Sequence, residues 1–300
     1  MAKIIVGGRP PKCPEDYFQN IEYISSDIEY IEDRAFAGKQ MDCVIFKTPS
    51  KVKEIRSSAF EGCDSLKYIK IPASVEIIED SAFKNCSSLQ DVLFEENSKL
   101  RIIDGGIVHP EYLYGPFPSW VDCYHLAYDS YMNCIELDDI SCGAFWGCGL
   151  STINIPASVE EIGIGAFGNC PFLSHVVFEK GSNLAKILSH WALWGNWRIS
   201  IGAFGYLYNP ITIDATACTK LISVGEDIFS GDSYGLYNKN KPGNHMITLL
   251  LGTEIPPEIA HDHFLPKDNQ CTLKVPSQSV EAYKNAKGWN EFANITSLKL

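Results

Sequence analysis

Several residue groups in this chain have types and spacings that could do chemistry. Gly163, Gly165 and Gly168 spell G-x-G-x-x-G, the spacing with which a backbone turn cradles a pyrophosphate at a helix N-terminus. That use needs a strand before the glycines and a crossover helix after them. Here they lie in a short turn with Ala166-Phe167, and no helical pattern follows, so we assign them no nucleotide role. Cys123, His125, Cys134 and Cys142 carry ligand atoms that zinc accepts, but their spacing matches no common finger and the chain has no C-x-x-C pair. His261 and His263 flank Asp262; alternate residues of an extended segment face the same way and could share a surface cation, but a solvated acidic-basic loop is the simpler reading. The paired carboxylates Glu95-Glu96, Asp138-Asp139 and Glu160-Glu161 sit at turns, and nothing drives two of them into one desolvated pocket, as a catalytic pair requires. P-loop, H-E-x-x-H and G-x-S-x-G strings do not occur. The sequence therefore predicts no catalytic residue, no cofactor and no resident metal.

Aromatic side chains offer binding chemistry instead. Between Gly105 and Asp139 stand Tyr112, Tyr114, Phe117, Trp120, Tyr124, Tyr128 and Tyr131. A disordered linker would be polar and poor in aromatics, so this segment is expected to fold. Insertions in repeat proteins map to one face, often the binding face, which makes Tyr112, Tyr114, Trp120 and Tyr124 candidate contacts. A degenerate repeat whose aromatics fill its own core explains the same composition. Trp191, Trp194 and Trp197 recur every third residue, a spacing that predicts one side of a helical turn. They would either pack the convex side or offer a platform to a sugar ring.

What must position these groups is a repeat. Residues 71–89 read IPASVEIIEDSAFKNCSSL and residues 155–173 read IPASVEEIGIGAFGNCPFL, with twelve of nineteen positions identical. The shortest marker is an aliphatic residue, three variable positions, then Ala-Phe. It occurs as Ile31 with Ala35-Phe36, Ile55 with Ala59-Phe60, Ile78 with Ala82-Phe83, Ile140 with Ala144-Phe145, Ile162 with Ala166-Phe167 and Ile199 with Ala203-Phe204. A worn copy is Val224 with Ile228-Phe229. Phe36, Phe60 and Phe83 are 24 and 23 residues apart, within the leucine-rich-repeat range of about 20–29. In one unit Leu66, Ile69 and Ile71 alternate as in a strand, with Lys70 turned the other way. Pro72 then ends the strand because it has no N–H to donate. Such a unit cannot bury its apolar face alone; stacking on neighbours does so.

The string I-P-x-S-V-x-x-I-x-x-x-A-F-x-x-C-x-x-L resembles the BspA-type leucine-rich repeat, and residues 271–295 resemble that family's closing cap. The resemblance implies an α/β-type repeat solenoid: a right-handed leucine-rich-repeat superhelix with one parallel sheet, short turns or 3-10 segments opposite, and a C-terminal helical cap. It also implies adhesion, surface display or protein binding. The expected layout is N-terminal repeats over 1–104, an aromatic-rich insertion or degenerate repeat over 105–139, C-terminal repeats over 140–270 and a cap over 271–300. In that cap Val280, Tyr283 and Ala286 form the apolar stripe of a short helix, Ser279 is its N-cap and Gly288 its αL terminator.

A net charge of −12 argues against a nucleic-acid surface, which needs a basic stripe, and against anionic membranes. No apolar run reaches the length of a membrane-spanning helix, and residues 1–18 lack the apolar stretch of a secretory signal. The compartment stays open: the resemblance implies the cell surface or secretion, whereas the cysteines suggest a reducing environment. Cys63, Cys86, Cys148 and Cys170 each stand three residues after the repeat Phe, so they should stack inside the core as thiols. Strand positions expected to point outward are Lys67, Tyr68 and Lys70; Gln90, Asp91 and Leu93; Ser151, Thr152 and Asn154; Ser174, His175 and Val177. Of these, Tyr68, Lys70, Asp91, Asn154 and His175 are the candidate contacts on the sheet face. A mixed, flat surface suits another protein or a surface glycan better than a small molecule, which prefers a concave apolar pocket. A structural subunit of a larger assembly is the alternative, and an enzyme centred on residues 105–142 the remote one.

Overall fold

Each repeat opens with a strand that is cut short, as Ile71 is by Pro72 and Ile155 by Pro156, and then turns back to contribute two further residues to a second ladder. The computed structural model describes residues 17–105, 143–194, 197–207, 209–225, 228–229, 246–259 and 270–298. In chain order the first three coils carry β1 (Ile21–Ile24) with β2 (Tyr30–Ile31), β3 (Cys43–Phe46) with β4 (Glu54–Ile55), and β5 (Tyr68–Ile71) with β6 (Ile77–Ile78). The next three carry β7 (Asp91–Phe94) with β8 (Ile102–Ile103), β9 (Thr152–Ile155) with β10 (Glu161–Ile162), and β11 (His175–Phe178) with β12 (Lys186–Ile187). A hairpin of β13 (Ser189–Trp194) and β14 (Trp197–Gly202) then intervenes. It is followed by β15 (Ile211–Ala215) with β16 (Ser223–Val224), and β17 (Ile247–Leu251) with β18 (Glu258–Ile259). β19 (Thr272–Val275), the helix α1 (Val280–Asn285) and β20 (Asn294–Ser297) complete the chain.

The long strands form parallel ladders, β1-β3-β5-β7 and β9-β11-β15-β17-β19-β20. The two-residue strands form a single run of eight, β2-β4-β6-β8-β10-β12-β16-β18. The fold is thus the expected repeat solenoid, and the segments facing the main sheet add a second parallel ladder to it. Ile69, Ile71, Ile153, Ile155, Ile213, Leu249 and Leu273 point between the two ladders and are buried.

A third stack runs through the turns. Phe60 lies on Phe83, and Phe83 on Phe145, with ring centroids 5.1 Å apart and planes within 2°; Phe36, Phe167, Phe204 and Phe229 extend the column. The backbone moves with it. The Phe60 N–H donates to the Ala82 carbonyl at 2.7 Å, Phe83 to Ala144 at 2.7 Å and Phe145 to Ala166 at 2.8 Å. The same bond forms where isoleucine replaces alanine: the Phe204 N–H donates to the Ile228 carbonyl at 2.8 Å. The thiols form the next rung: Sγ of Cys63, Cys86, Cys148 and Cys170 donates to the carbonyl of Phe36, Phe60, Phe83 and Phe145 respectively, each at 3.1 Å. All four are buried free thiols, and each adds a second, compact donor to a carbonyl that already accepts a backbone N–H within its own turn, as Phe60 does from Cys63 and Phe83 from Cys86.

The C-terminal cap differs in detail from the helix expected. A 3-10 turn at Ser277–Ser279 precedes α1, and Ser279 makes no side-chain cap bond; its buried Oγ has no hydrogen-bond partner. Gly288 is not the αL terminator expected: α1 closes at Ala286 in extended conformation, and Gly288, with φ of 77° and ψ of −45°, opens the 3-10 turn Trp289–Glu291, where a Cβ would meet Ile259 Cδ1 at 2.7 Å. Tyr283 and Trp289 are buried edge to face at 5.3 Å, and the Trp289 indole N–H donates to the Pro257 carbonyl at 2.8 Å. β20 then adds one more parallel strand against β19. The three-residue tryptophan spacing does not mark a helical turn: the backbone there is the antiparallel hairpin β13–β14, with Trp194 paired to Trp197. Ile140 lies outside the described residues, and Ile103 holds the short-ladder place that leads to Ala144-Phe145, pairing with Ile78 and Ile162.

Two outcomes are expected. Phe83→Ala, which removes an interior ring of the column, should lower unfolding free energy by about 3–5 kcal/mol, measured by equilibrium denaturation; a loss under about 1 kcal/mol would contradict the stacked register. Burial pushes the thiols of Cys170 and Cys218 up to about 12 from an ordinary 9.0. Above pH 9 the unfolded chain therefore binds fewer protons than the folded one, and stability falls as pH rises, by about 1.4 kcal/mol per pH unit for each thiol. Denaturation midpoints should drop between about pH 8 and about pH 10.5, and less steeply in Cys170→Ala.

Candidate interaction surfaces

The outer face of the long-strand ladders presents two parallel rows, because alternate residues of a strand share a face. One row passes through Tyr68 and Asp91, which pair across β5 and β7, and resumes with Thr152, His175, Thr212, Thr248 and Thr272. The other contains Lys70 beside Leu93, then Asn154, Val177 and Asp214. Lys70, Asp91, Asn154 and His175 are exposed on this face, as expected. They fall in two diagonal clusters on paired strands, Lys70 and Asp91 on β5 and β7, and Asn154 and His175 on β9 and β11, each pair two residues from directly opposite in register. Lys70 Nζ lies 3.5 Å from a Glu95 carboxylate oxygen, and the His175 Nδ1 lies 3.0 Å from Ser174 Oγ. Loss of solvation raises the Asp91 carboxyl above its ordinary value.

Tyr68 is a correction. It lies in the outer row but is only 4% exposed, because Phe18 stacks over it with ring centroids 6.1 Å apart. Burial, with Cys43 and Asp91 alongside, pushes its phenol up to about 12. Pattern alone could not reveal this cover, which arrives from outside the repeat. Tyr23, 48% exposed on β1, is an aromatic on the sheet that sequence reasoning missed; its alternation with Ile24 was the available signal. The half-buried row Thr212, Thr248 and Thr272 was also missed, although ITID, ITLL and TLKV repeat one phrase. The insert candidates Tyr112, Tyr114, Trp120 and Tyr124 lie outside the described residues, as do Cys123, His125, Cys134, Cys142, His261 and His263.

The glycines of the G-x-G-x-x-G string have packing roles. A Cβ on Gly163 would lie 2.0 Å from the Gly105 backbone nitrogen, and one on Gly143 2.2 Å from the Ala166 nitrogen. Gly165 has φ of 63°, and a Cβ on Gly168 would meet the Trp146 ring at 2.3 Å. All three sit where one turn touches the turn before it. Among the described residues no group of His, Cys, Asp and Glu is arranged to hold a metal ion, and no helix is long and apolar enough to cross a membrane. Charges pair from coil to coil, as in Lys53 with Glu29 at 2.8 Å and Lys67 with Asp42 at 2.7 Å; exposed pairs of this kind contribute about 0–1 kcal/mol each.

Stacked parallel strands, an Ala-Phe turn column and a terminal cap define a leucine-rich-repeat solenoid. The BspA type leucine rich repeat region matches residues 15–107 and 127–193 in six copies, more than half of the 300 residues, and the chain belongs to that family. Among solved structures it is similar to the pneumococcal vaccine antigen PcpA, at 16% identity over 95% of this chain and 80% of that one, with a TM-score of 0.44. It is also similar to a leucine rich cell surface protein from Faecalibacterium prausnitzii A2-165, at 18% identity over 96% of this chain and 81% of that one, with a TM-score of 0.33. A leucine-rich repeat protein from Bacteroides ovatus ATCC 8483 matches at 19% identity over 83% and 65%, with a TM-score of 0.24. No curated protein matches the chain.

The contact between Gly163 and Gly105 yields a direct test. Gly163→Ala should destabilise the chain by about 1–3 kcal/mol, as overpacking against backbone does, read from the shift in denaturation midpoint. An unchanged midpoint would mean that the two turns do not touch.

Proposed function

We propose that this protein is a non-enzymatic interaction module that engages another protein or a surface glycan through its outer sheet face and the segment 105–139. The observation that carries this reading is the exposed pair of clusters, Lys70 with Asp91 and Asn154 with His175, one on each of the two long-strand parallel ladders. Side chains on stacked strands hold fixed spacings of about 4.8 Å, so little ordering entropy is lost when a partner docks. The mixture of charge, amide, imidazole and scattered apolar groups such as Val177 is what a flat partner surface matches. Tyr112, Tyr114, Trp120 and Tyr124 would add amphipathic aromatic anchors, which carry much of the energy in protein and sugar recognition. Membership of a family built on a repeat scaffold supports a scaffold role.

The test presents the full chain to an oligosaccharide array and to surface proteins displayed individually. A specific binder should be found. Its affinity should fall at least about tenfold in a variant combining Lys70→Ala, Asp91→Ala, Asn154→Ala and His175→Ala, since exposed central contacts cost about 1 kcal/mol or more each, with unchanged melting. Affinity that survives both this variant and Tyr112→Ser/Trp120→Ser would remove both surfaces from the reading.

A further inference from the structure

We infer that residues 106–142 are a graft on a coil that is already closed without them. The turn that carries them has the geometry of an uninterrupted repeat. In ordinary coils the Ala N–H donates to the carbonyl three residues earlier: Ala59 to Arg56 at 3.1 Å, Ala82 to Glu79 at 3.3 Å and Ala166 to Gly163 at 3.3 Å. In the interrupted coil Ala144 donates to Asp104 at 3.1 Å, although the whole segment 106–142 lies between them in sequence. Ile103, Asp104, Gly105, Gly143, Ala144 and Phe145 thus occupy the places of Ile78, Glu79, Asp80, Ser81, Ala82 and Phe83.

The following bond agrees. Trp146 donates to Gly143 at 3.0 Å, as Lys84 does to Ser81 at 2.9 Å and Glu61 to Ser58 at 3.0 Å. The long strands part between β7 and β9 here, but the contacts of the turn and of the short ladder continue: β8 pairs with both β6 and β10, Phe145 stacks on Phe83 and Phe167, and the Cys148 thiol reaches the Phe83 carbonyl. Leaving out 106–142 restores the Ile-x-x-x-Ala-Phe spacing without a residue to spare.

A second element leaves the solenoid at the same turn two coils later. The hairpin β13–β14 lies between Ile187 and Ala203-Phe204, and leaving out 190–201 again restores Ile-x-x-x-Ala-Phe. In both cases the next coil places glycine directly after its short strand: Gly163 against Gly105, and Gly225 with a Cβ position 2.5 Å from the Ser189 nitrogen. Coils that follow an uninterrupted turn carry Arg56, Glu79, Asp104 and Leu188 there. A chain that departs from and returns to one turn crowds the backbone beside it, and glycine is the residue that admits the approach. This edge is where the fold accepts added elements, and the scaffold does not depend on the larger one.

The experiment deletes 106–142 from the full chain, joining Gly105 to Gly143. A second variant deletes 105–142 and leaves the turn one residue short; a third replaces 106–142 with a Gly-Ser linker of equal length. The first and third should keep the parent's oligomeric state, melt within a few degrees of the parent, and keep Cys86 and Cys148 as slow to alkylate as in the parent. The second should melt earlier and expose Cys148. Aggregation of the first variant, or denatured-like labelling of Cys148 in it, overturns the inference. So does a one-residue-short variant as stable as the first. These are folding readouts, so they stand or fall independently of whether any partner is bound.

Discussion

The structure depends on one constraint: every coil must place its turn about 5 Å above the last, with the backbone hydrogen-bonded across the step. The Phe column at 5.1 Å and the bonds from Phe60, Phe83 and Phe145 to the alanines of the next coil are two expressions of that rise. The residue before the ring is alanine from Ala35 to Ala203 and isoleucine at Ile228, where the Phe204 N–H donates to its carbonyl at 2.8 Å as in the other coils. Phenylalanine fills the space between the ladders in a plane that its neighbours repeat, adding about 0.5–1.5 kcal/mol per ring pair beyond its burial. Cysteine follows from the same rise, since a short thiol reaches the Phe carbonyl one coil back.

From that rise comes the character of the outer face. Core-facing residues are held to a narrow vocabulary, whereas outward positions need only tolerate a strand. Lys70, Asp91, Asn154 and His175 are four different residue types on the outer face, and none of them takes part in the buried packing between the ladders. The second ladder matters here as well. Two residues per coil, such as Ile77–Ile78 and Glu161–Ile162, tie the back of the solenoid into eight continuous strands across the point where the long strands form separate sheets. Continuity at the back is what lets segment 106–142 leave one turn while neighbouring coils keep their register.

Some of this was legible in advance. The Ala-Phe spacing located the turns, and the alternation in YIKI and TINI located strands and their outward residues. Where the reading failed, a contact from beyond the repeat was responsible. Tyr68 alternates as an exposed residue and is buried because Phe18 covers it. Trp191, Trp194 and Trp197 have a helical interval but lie on or beside strands, because the surrounding chain closes as a hairpin. Ser279 is the right residue for a helix cap, yet a 3-10 turn enters α1 and leaves its hydroxyl unused.

The sequence by itself determined the class of fold, because a period near 23 residues forces like to stack on like, and stacking leaves few architectures. It also determined that Cys63, Cys86, Cys148 and Cys170 are buried, since one repeat position shares one environment. Tertiary structure alone decided which residue precedes Ala144-Phe145 in space. Sequence neighbours favoured Ile140, but hydrogen bonding selects Ile103, because a turn is closed by whichever carbonyl lies within reach, wherever it falls along the chain. It decided the glycines too: Gly163, Gly165 and Gly168 spell a nucleotide motif in one dimension and fit the backbone and tryptophan of the preceding turn in three.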